Sequence, residues 1–287
     1  MLALAFDITN LEMKTIITIP TFNRLEYIKK MSRSLQASED LERCGIEVFD
    51  DSSTEFELDT LKHLFPPRSK VTRRSRTLGS DENARQMYIE FMKSNADLIV
   101  TADADLIFHP QWLKAIESNF SKTDGVLSLY NSMLHPTIRK SNSGGEVLCE
   151  KEHIGAAATV FHRDVLKQIL EHFDRPTISF DFKWSAFLRK KKIKILTTER
   201  SYVQHIGLSG INCDGLRELD YGLNFDPGNE VNAKILAQFF EEFAIQNNEL
   251  KEQRVELIDR LIQTRLKRIA FEKLLRFLKK FGITRKW

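Results

Sequence analysis

The feature that most constrains this chain is the segment 97–112, which reads Asp-Leu-Ile-Val-Thr-Ala-Asp-Ala-Asp-Leu-Ile-Phe-His-Pro-Gln-Trp. Its apolar, β-branched run at 98–101 predicts a strand that is buried on both faces. The strand leads into Asp103 and Asp105, and Pro110 suits the first turn of a following helix. Two carboxylates at the end of a buried strand indicate a cation site, because Mg²⁺ and Mn²⁺ prefer oxygen ligands. Alone, the motif is weak, and a solvated turn with an N-cap is the favoured interpretation.

Composition narrows the class of protein. A chain of 287 residues with 42% hydrophobic and 29% charged residues can bury a large core and is typical of a soluble globular protein. Its net charge of +3 is too small to favour a nucleic-acid partner. Three widely spaced cysteines predict no disulfide framework, and we expect a reducing, cytoplasmic location. Neither a signal peptide nor a membrane span is predicted.

Strand and helix patterns alternate as far as residue 120, which predicts an α/β sheet with right-handed crossovers. A strand at 15–19 is followed by a loop at 20–24, and a strand at 46–49 is followed by polar residues at 50–53. A turn and helix at 79–93 precede the strand that leads to the two aspartates. The polar loops thus share the sheet edge at which open α/β sheets bind ligands.

Four motifs in this order resemble those of family 2 glycosyltransferases with the GT-A fold. They are Ile-Pro-Thr-Phe-Asn-Arg at 19–24, Phe-Asp-Asp-Ser-Ser at 49–53, Gly79 with Ala-Arg-Gln at 84–86, and Ala-Asp-Ala-Asp at 102–105. The resemblance covers roughly residues 14–210. It implies a mixed, mostly parallel Rossmann-like sheet flanked by helices, a nucleotide-sugar donor (usually a UDP-sugar), Mn²⁺ or Mg²⁺, and transfer with inversion.

The resemblance also implies roles for individual residues of the donor half. The nucleoside would be contacted by Pro20, Thr21, Phe22, Asn23 and one of Asp50 and Asp51. Arg85 would lie near the donor or its diphosphate, Asp103 would face the ribose, and Asp105 would ligate the metal. Other interpretations stay open, since Asp50 and Asp51 are also typical turn carboxylates and Arg85 a typical solvated helix residue. The chain departs from the family pattern at Ser52, where glycine is common, and at Thr77, where asparagine is usual.

Asp181 is the candidate catalytic base. In the family a Glu-Asp pair opens a helix at this place, and here Phe180 replaces the Glu. Direct displacement requires one carboxylate to take the proton of the acceptor hydroxyl. The competing role for Asp181 is an N-cap of the helix, and both roles are compatible.

Other segments of the acceptor half carry weaker signals. Small residues at 155–159 resemble the family segment beneath the donor sugar, although plain packing also explains them. His205, in a Val-x-His-x-Gly segment, resembles a ligand of the metal or diphosphate, with a buried structural histidine as the alternative. The glycine-containing stretch 142–145 predicts a mobile loop, and 207–229 predicts a flap over the donor.

The domain prediction is a GT-A domain at 1–229, with a donor half at about 14–120 and an acceptor half at about 121–229, followed by a helical extension at 230–287. Residues 265–287 contain nine Lys or Arg and one Glu, so the rest of the chain carries 3 − 8 = −5. Apolar residues recur there at spacings of three and four. This composition predicts either a helix lying on an anionic membrane, at the inner face of the cytoplasmic membrane, or self-association.

The predicted function is metal-dependent, inverting and non-processive transfer of a sugar to a glycan or lipid-linked acceptor, in bacterial surface polysaccharide or lipopolysaccharide synthesis. The processive relatives carry a Gln-x-x-Arg-Trp motif and membrane spans, neither of which is present in this sequence. Two alternatives are a nucleotidyltransferase on a similar sheet and a degenerate domain that acts through its C-terminal helix. The first predicts a glycine-rich loop after the first strand, which Pro-Thr-Phe-Asn is not.

Overall fold

Alternating strands and helices build the larger part of the structure, a computed structural model. It describes the following residues: 13–143, 146–176, 180–207 and 221–280. The chain divides into two compact units, Met1–Leu236 and Ala237–Trp287.

The elements of the described residues largely follow the predicted order. The strands are β1 (Thr15–Thr21), β2 (Cys44–Asp50), β3 (Lys70–Arg73), β4 (Leu98–Thr101), β5 (Leu106–Phe108), β6 (Val126–Ser128), β7 (Thr137–Ser143), β8 (Glu146–Lys151), β9 (Thr159–His162), β10 (Leu196–Thr198) and β11 (Val203–His205). The helices are α1 (Leu25–Gln36), α2 (Leu58–Leu64), α3 (Ser80–Met92), α4 (Trp112–Asn119), α5 (Arg163–His172), α6 (Phe180–Lys190) and α7 (Glu230–Lys280).

The central sheet of the described residues has the strand order β3-β2-β1-β4-β9-β6-β10-β8-β7. Strands β1 to β4 are parallel neighbours, whereas β9 runs antiparallel between β4 and β6. Strand β10 is parallel to β6, and β8 and β7 extend the edge as an antiparallel hairpin. A separate two-stranded sheet pairs β5 with β11. The fold is therefore the expected mixed, mostly parallel sheet flanked by helices.

Strand β4 is buried on both faces, as its apolar sequence predicts. Leu98 and Val100 pack into the core that includes Met31 of α1 and Trp112 of α4. Ile99 packs into the opposite core, with residues of α3, α5 and α6. Burial of each such aliphatic side chain contributes about 1.5–3 kcal/mol, so the strand that carries the aspartates is firmly held.

The prediction of a mobile loop at 142–145 is wrong for its first half. Asn142 and Ser143 belong to β7 and pair with Val147 and Glu146 of β8. The pairing with β8 supplies backbone hydrogen bonds that a polar sequence can use as well as an apolar one. Residues 144–145 lie outside the described residues, as do 208–220 of the predicted flap.

Helix α7 begins at Glu230, where a long run of the sequence without Gly or Pro begins. The Asn229 side chain accepts a hydrogen bond from the Asn232 backbone N–H at 2.9 Å, which is the usual N-cap arrangement. Across the part of the chain that the structure describes, no helix is both long enough and apolar enough to span a bilayer. The side chains of the predicted amphipathic stripe beyond residue 268 lie mostly outside the described residues, and so does the segment 281–287.

Candidate active site

The two predicted metal ligands, Asp105 and His205, are brought together by the small sheet. Asp105 directly precedes β5, and His205 ends β11 opposite Leu106. The Ile206 backbone N–H donates to the Asp105 carbonyl oxygen at 2.9 Å, so the antiparallel ladder fixes the two segments in register. The Nε2 atom of His205 lies 3.2 Å from Asp105 Oδ1.

Arg24 completes a cluster around Asp105. Its Nη2 atom lies 2.8 Å from Asp105 Oδ2, and the carboxylate is almost fully buried. Burial opposes ionisation of Asp105, but His205 and Arg24 outweigh it and lower the pKa of this carboxyl to about 2. Asp105 is therefore an anion at neutral pH, held between two basic side chains.

Because Gly207 has no side chain, there is room beside it for the side chains of Asp105, Arg24 and His205. A Cβ atom at position 207 would collide with Asp105 Oδ2 and would lie 2.9 Å from both Arg24 Nη2 and His205 Cε1. The backbone of residue 207 thus packs directly against all three side chains, as only glycine permits.

Asp103 lies at the end of β4 in a different electrostatic environment. Burial and the negative charge of Asp105 raise the pKa of Asp103 to about 6, and Asp181 adds a further negative charge. The Tyr88 hydroxyl, which interacts electrostatically with Asp103, lies 3.1 Å from Thr101 Oγ1. The structure thus brings Asp103, Asp105 and Asp181 into one electrostatically coupled region.

The loops after β1 and β2 are joined through Asn23. Its Oδ1 accepts hydrogen bonds from the backbone N–H groups of Thr54 (2.8 Å) and Glu55 (3.3 Å). Its own backbone N–H donates to Ser53 Oγ at 2.7 Å. Asn23 and Arg24 both have left-handed backbones, with φ of 50° and 61°. This conformation turns the chain so that Arg24 reaches Asp105.

Asp50 is a fully buried carboxylate that the structure uses internally. It accepts hydrogen bonds from Arg73 Nε, from the backbone and hydroxyl of Ser53, and from Thr21 Oγ1. Arg73 in turn donates to the Phe56 carbonyl at 2.9 Å. These contacts connect the ends of β1, β2 and β3.

Asp51 supports the loop that leads into α3. Its two oxygens accept from the backbone N–H groups of Leu78 (2.7 Å) and Gly79 (2.8 Å), and only 3% of the residue is exposed. Ser52 adopts a left-handed φ of 65°, so the turn that suits glycine in the family pattern is retained with serine.

The remaining predicted donor residues are spread along this edge. Pro20 and Thr21 end β1, opposite Phe49 and Asp50 of β2, and Phe22 follows in the loop. The Nη2 atom of Arg85, on α3, donates to the Asp174 carbonyl at 2.6 Å. The structure therefore does not bring Arg85 into the cluster around Asp105.

Asp181 is the second residue of α6, so the helix begins before it and the N-cap interpretation does not fit. Its Oδ1 accepts from the Phe182 backbone N–H at 2.9 Å. Burial raises the pKa of Asp181. The carboxylate lies at a small cleft that is lined by residues of α3, α6 and the small-residue segment: Tyr88, Ile154, Gly155, Ala156, Phe161, Phe180, Trp184, Ser185 and Leu188.

The donor set around Asp105 fits a hard divalent cation. The Asp105 carboxylate is an oxygen ligand of the kind that Mg²⁺ and Mn²⁺ prefer, and His205 Nε2 lies 3.2 Å from its Oδ1. In the described parts of the chain, no group of three or more His, Cys, Asp or Glu side chains is arranged to hold a metal. Such a site would thus depend on phosphate or water for its other ligands.

Sequence reasoning passed over Arg24 and Gly207 as site residues. Both stand in segments that had been singled out, Arg24 at the end of the first motif and Gly207 two residues after His205. A basic residue on a ligand-binding loop was the available signal for Arg24. Its pairing with Asp105 depends on the left-handed backbone conformations of Asn23 and Arg24, which the sequence does not predict.

Comparison with known proteins gives a family match. The family model described as Glycosyl transferase family 2 matches residues 16–196, which is more than half of the chain. No curated protein matches the chain.

Among solved structures, the chain is similar to that of S. aureus TarS 1–349 in complex with UDP-GlcNAc, with 14% identity and a TM-score of 0.48 over 67% of this chain and 58% of that one. It is also similar to the mannosyltransferase PcManGT from Pyrobaculum calidifontis in complex with GDP-Man and Mn²⁺, with 11% identity and a TM-score of 0.48 over 66% of this chain and 55% of that one. The chain thus spans a little over half the length of each.

Proposed function

Because the chain belongs to glycosyl transferase family 2 and is a glycosyltransferase, we propose that it transfers single sugars, with inversion, from a UDP-sugar to a glycan or lipid-linked acceptor. The observation that carries this proposal is the cluster of Asp105, His205 and Arg24 beside Asp103, with Asp181 across the same region. It combines a place to neutralise a diphosphate with a carboxylate that can accept a proton.

The bond changes define what each residue must do. The acceptor oxygen attacks the anomeric carbon while the bond from that carbon to the diphosphate oxygen breaks. Asp181 takes the proton of the attacking hydroxyl, since it lies apart from the cluster and burial raises its pKa. A base with a raised pKa is better matched to this task than an ordinary aspartate.

At the other end of the reaction, negative charge develops on the departing nucleoside diphosphate. Asp105 and His205 would hold Mn²⁺ or Mg²⁺, which supplies positive charge to the diphosphate when bound. Arg24, whose guanidinium touches Asp105, adds a fixed positive charge at the same place. Asp103 is assigned to the donor ribose.

The nucleoside is assigned to the loops after β1 and β2. Pro20 to Asn23 and one of Asp50 and Asp51 are the proposed contacts. Both carboxylates already accept hydrogen bonds from the protein, so a role in binding the base would use their remaining lone pairs. Arg85 stays a proposed donor residue, with the position of its guanidinium weighing against it.

The proposal also covers the biosynthetic process that the acceptor belongs to and the cellular location. Single-sugar addition in bacterial surface polysaccharide or lipopolysaccharide synthesis, in the cytoplasm or at the inner face of the cytoplasmic membrane, agrees with the chain's basic C-terminal segment. Its nine basic residues at 265–287 would favour an anionic surface.

Nucleotide release from a panel of UDP-, GDP- and CMP-sugars tests the function. With Mn²⁺ or Mg²⁺, and without acceptor, we expect slow hydrolysis of one donor and its loss in EDTA. Asp105→Asn should lower this hydrolysis by about 10²-fold or more. The exposed Asp59→Asn is a matched control that should leave it unchanged. Pyrophosphate release from a nucleoside triphosphate and a sugar phosphate would instead identify a nucleotidyltransferase.

Asp181→Asn tests the base. We expect loss of transfer to an acceptor while the affinity for the donor, measured by calorimetry, stays the same. Transfer at nearly the wild-type rate would show that another group accepts the proton.

A further inference from the structure

A pair of histidines adjoins the cleft that contains Asp181, outside the cluster around Asp105. The Nδ1 atoms of His135 and His153 lie 2.8 Å apart, in hydrogen-bond contact, with the two rings nearly perpendicular. The ring of His153 also packs against the ring of Phe182, at 4.7 Å between centroids. His153 is therefore fixed from two sides.

The loop that carries His153 is tied to the first turn of α6. The Ile154 backbone N–H donates to Ser185 Oγ at 3.3 Å, and that hydroxyl donates to the Asp181 carbonyl at 2.7 Å. His153 is close enough to interact electrostatically with the Asp181 carboxylate. His153, Phe182 and the proposed base are thus linked by a continuous set of contacts.

The loop before β7, which carries His135, is held equally firmly. Lys151 is a buried lysine whose Nζ donates to the His135 carbonyl at 2.8 Å and contacts the Ser132 carbonyl at 3.4 Å. The Glu152 backbone N–H donates to the Pro136 carbonyl at 3.1 Å. Since burial of a lysine is costly, its use as a backbone clamp indicates that the position of this loop matters.

Phe182 is the unusual member of this group, because 51% of this large apolar side chain is exposed. An exposed aromatic ring beside a proposed catalytic carboxylate is available to a ligand. One face of a pyranose ring consists of C–H bonds, which pack favourably on the electron-rich face of an aromatic ring. The hydroxyls at the edge of the same sugar need hydrogen-bonding partners.

The histidine pair supplies such a partner. In a hydrogen bond between two neutral imidazoles, one Nδ1 is the donor and the other is the acceptor. The Nε2 atom of His153 then has the role opposite to that of its Nδ1. In either tautomer it suits a sugar hydroxyl, which can both donate and accept.

We propose that Phe182 and His153 form the subsite for a saccharide acceptor, in which Phe182 stacks on the apolar face of the sugar that is to be extended and His153 binds one of its hydroxyls. His135 and Lys151 are positioning residues that hold His153. The proposal rests on the proposed function, since it takes Asp181 as the base. It deepens that function by assigning the recognised part of the acceptor to a sugar ring, and not to a lipid chain.

Saturation-transfer NMR on the full chain tests the subsite directly. The probes are methyl glycosides of glucose, galactose, mannose and N-acetylglucosamine, each in the presence of UDP and Mn²⁺. We expect at least one glycoside to bind, and Phe182→Ala and His153→Ala each to weaken its binding by about tenfold or more. Phe182→Tyr and His153→Gln should restore most of it, because they keep the ring and the hydrogen-bonding capacity.

Matched controls are available on the same chain. Phe240 is 41% exposed on α7, and His63 is exposed on α2, so Phe240→Ala and His63→Ala repeat the chemical changes outside the cleft. Neither should alter glycoside binding. Circular dichroism and the melting temperature of every variant separate a lost subsite from a lost fold.

Kinetics distinguish failure of this proposal from failure of the proposed function. Donor hydrolysis in water needs no saccharide acceptor, so it reports the proposed function separately from the subsite. We expect Phe182→Ala to raise the KM for the bound glycoside, while the control Phe240→Ala changes neither that KM nor the rate of donor hydrolysis. If the wild type hydrolyses a donor but binds none of the glycosides, or if both alanine variants bind them normally, the subsite is wrong. If no nucleotide sugar is turned over or bound, the proposed function itself fails.

Discussion

At the scale of single residues, Gly207 is a backbone position of the candidate site at which a side chain would not fit. Gly207→Ala would drive a methyl group into the Asp105 carboxylate and against Arg24 and His205. We expect donor hydrolysis to fall by about 10²-fold or more, because the charge-neutralising groups lose their relative positions. The measurement is the initial rate of nucleotide release with Mn²⁺.

Gly45→Ala is the control for Gly207→Ala. Its added Cβ would lie 3.0 Å from Ile16 Cγ1 within the sheet, far along the chain from the cluster. We expect a lower melting temperature with unchanged kcat. An equal loss of activity in both variants would mean that crowding reduces activity through stability alone.

The pKa of Asp181 gives a prediction of pH dependence. Burial raises this pKa above the ordinary 3.8, and the ionised form is the proposed base. The transfer rate should therefore be highest at pH values above the raised pKa of Asp181, and it should fall as the pH falls through that pKa. The acid limb of the transfer rate is the measurement, with circular dichroism at each pH to verify the fold. An acid limb at or below 3.8 contradicts the assignment.

The sequence could predict individual residues where chemistry and position in the chain agree. Asp105 and His205 were each predicted as metal ligands, which stays a prediction, and the structure puts 3.2 Å between Asp105 Oδ1 and His205 Nε2. The sequence could not predict that the Asp50 carboxylate would accept a hydrogen bond from Arg73, because that contact follows from the pairing of β2 with β3. Nor could it predict Arg24, whose reach depends on two consecutive left-handed residues.

At the scale of elements, the donor loops depend on one side-chain clamp. Asn23→Ala removes the acceptor for the Thr54 and Glu55 backbone N–H groups and replaces a residue that tolerates φ of 50°. We expect a loss of about 2–3 kcal/mol in the free energy of unfolding, and a higher KM for the donor. Urea unfolding and donor kinetics measure the two effects.

Asn224→Ala separates the two causes of that loss. Asn224 is exposed and has a φ of 55°, so this variant incurs the backbone strain of alanine in a similar conformation. We expect a loss of about 1 kcal/mol and an unchanged KM for the donor. If Asn23→Ala costs no more than Asn224→Ala, the clamp contributes nothing to stability.

Elements were predictable from the sequence where a segment decides its own conformation. The burial of β4 on both faces follows from its apolar run, and the turn and helix predicted at 79–93 match α3 (Ser80–Met92) within a residue. The hairpin of β7 and β8 was missed because Asn142 and Ser143 are polar and adjoin two glycines. Their strand conformation comes from pairing with β8, which pairs in turn with β10, and not from their own propensity.

At the scale of the whole molecule, the basic segment 265–287 stays a prediction, and its removal is the test. Each basic residue near an anionic bilayer contributes about 1 kcal/mol to binding. We therefore expect the full chain to float with anionic liposomes and the chain truncated before Arg265 to remain in the dense fraction. Donor hydrolysis should persist in the truncated form, because the candidate site lies within Met1–Leu236.

Salt and lipid charge are the controls for flotation. Binding to a charged surface should weaken at high ionic strength and on zwitterionic vesicles. Equal flotation of both forms would rule out the membrane role. A change in mass by light scattering on truncation would favour self-association, for which the exposed apolar residues Val255, Ile258 and Ile262 of α7 are available.

The pairing of β5 with β11 has a consequence for the stage of its own synthesis at which the protein can become active. The two halves of the proposed cation site are separated by almost a hundred residues of chain, and only their ladder brings them together. A nascent polypeptide that has left the ribosome as far as the Asp-x-Asp motif is thus still without its imidazole partner. If the proposed function is right, premature termination or delayed docking of the later strand would leave the cation site incomplete, so turnover of the nucleotide sugar would begin only when the small sheet has formed.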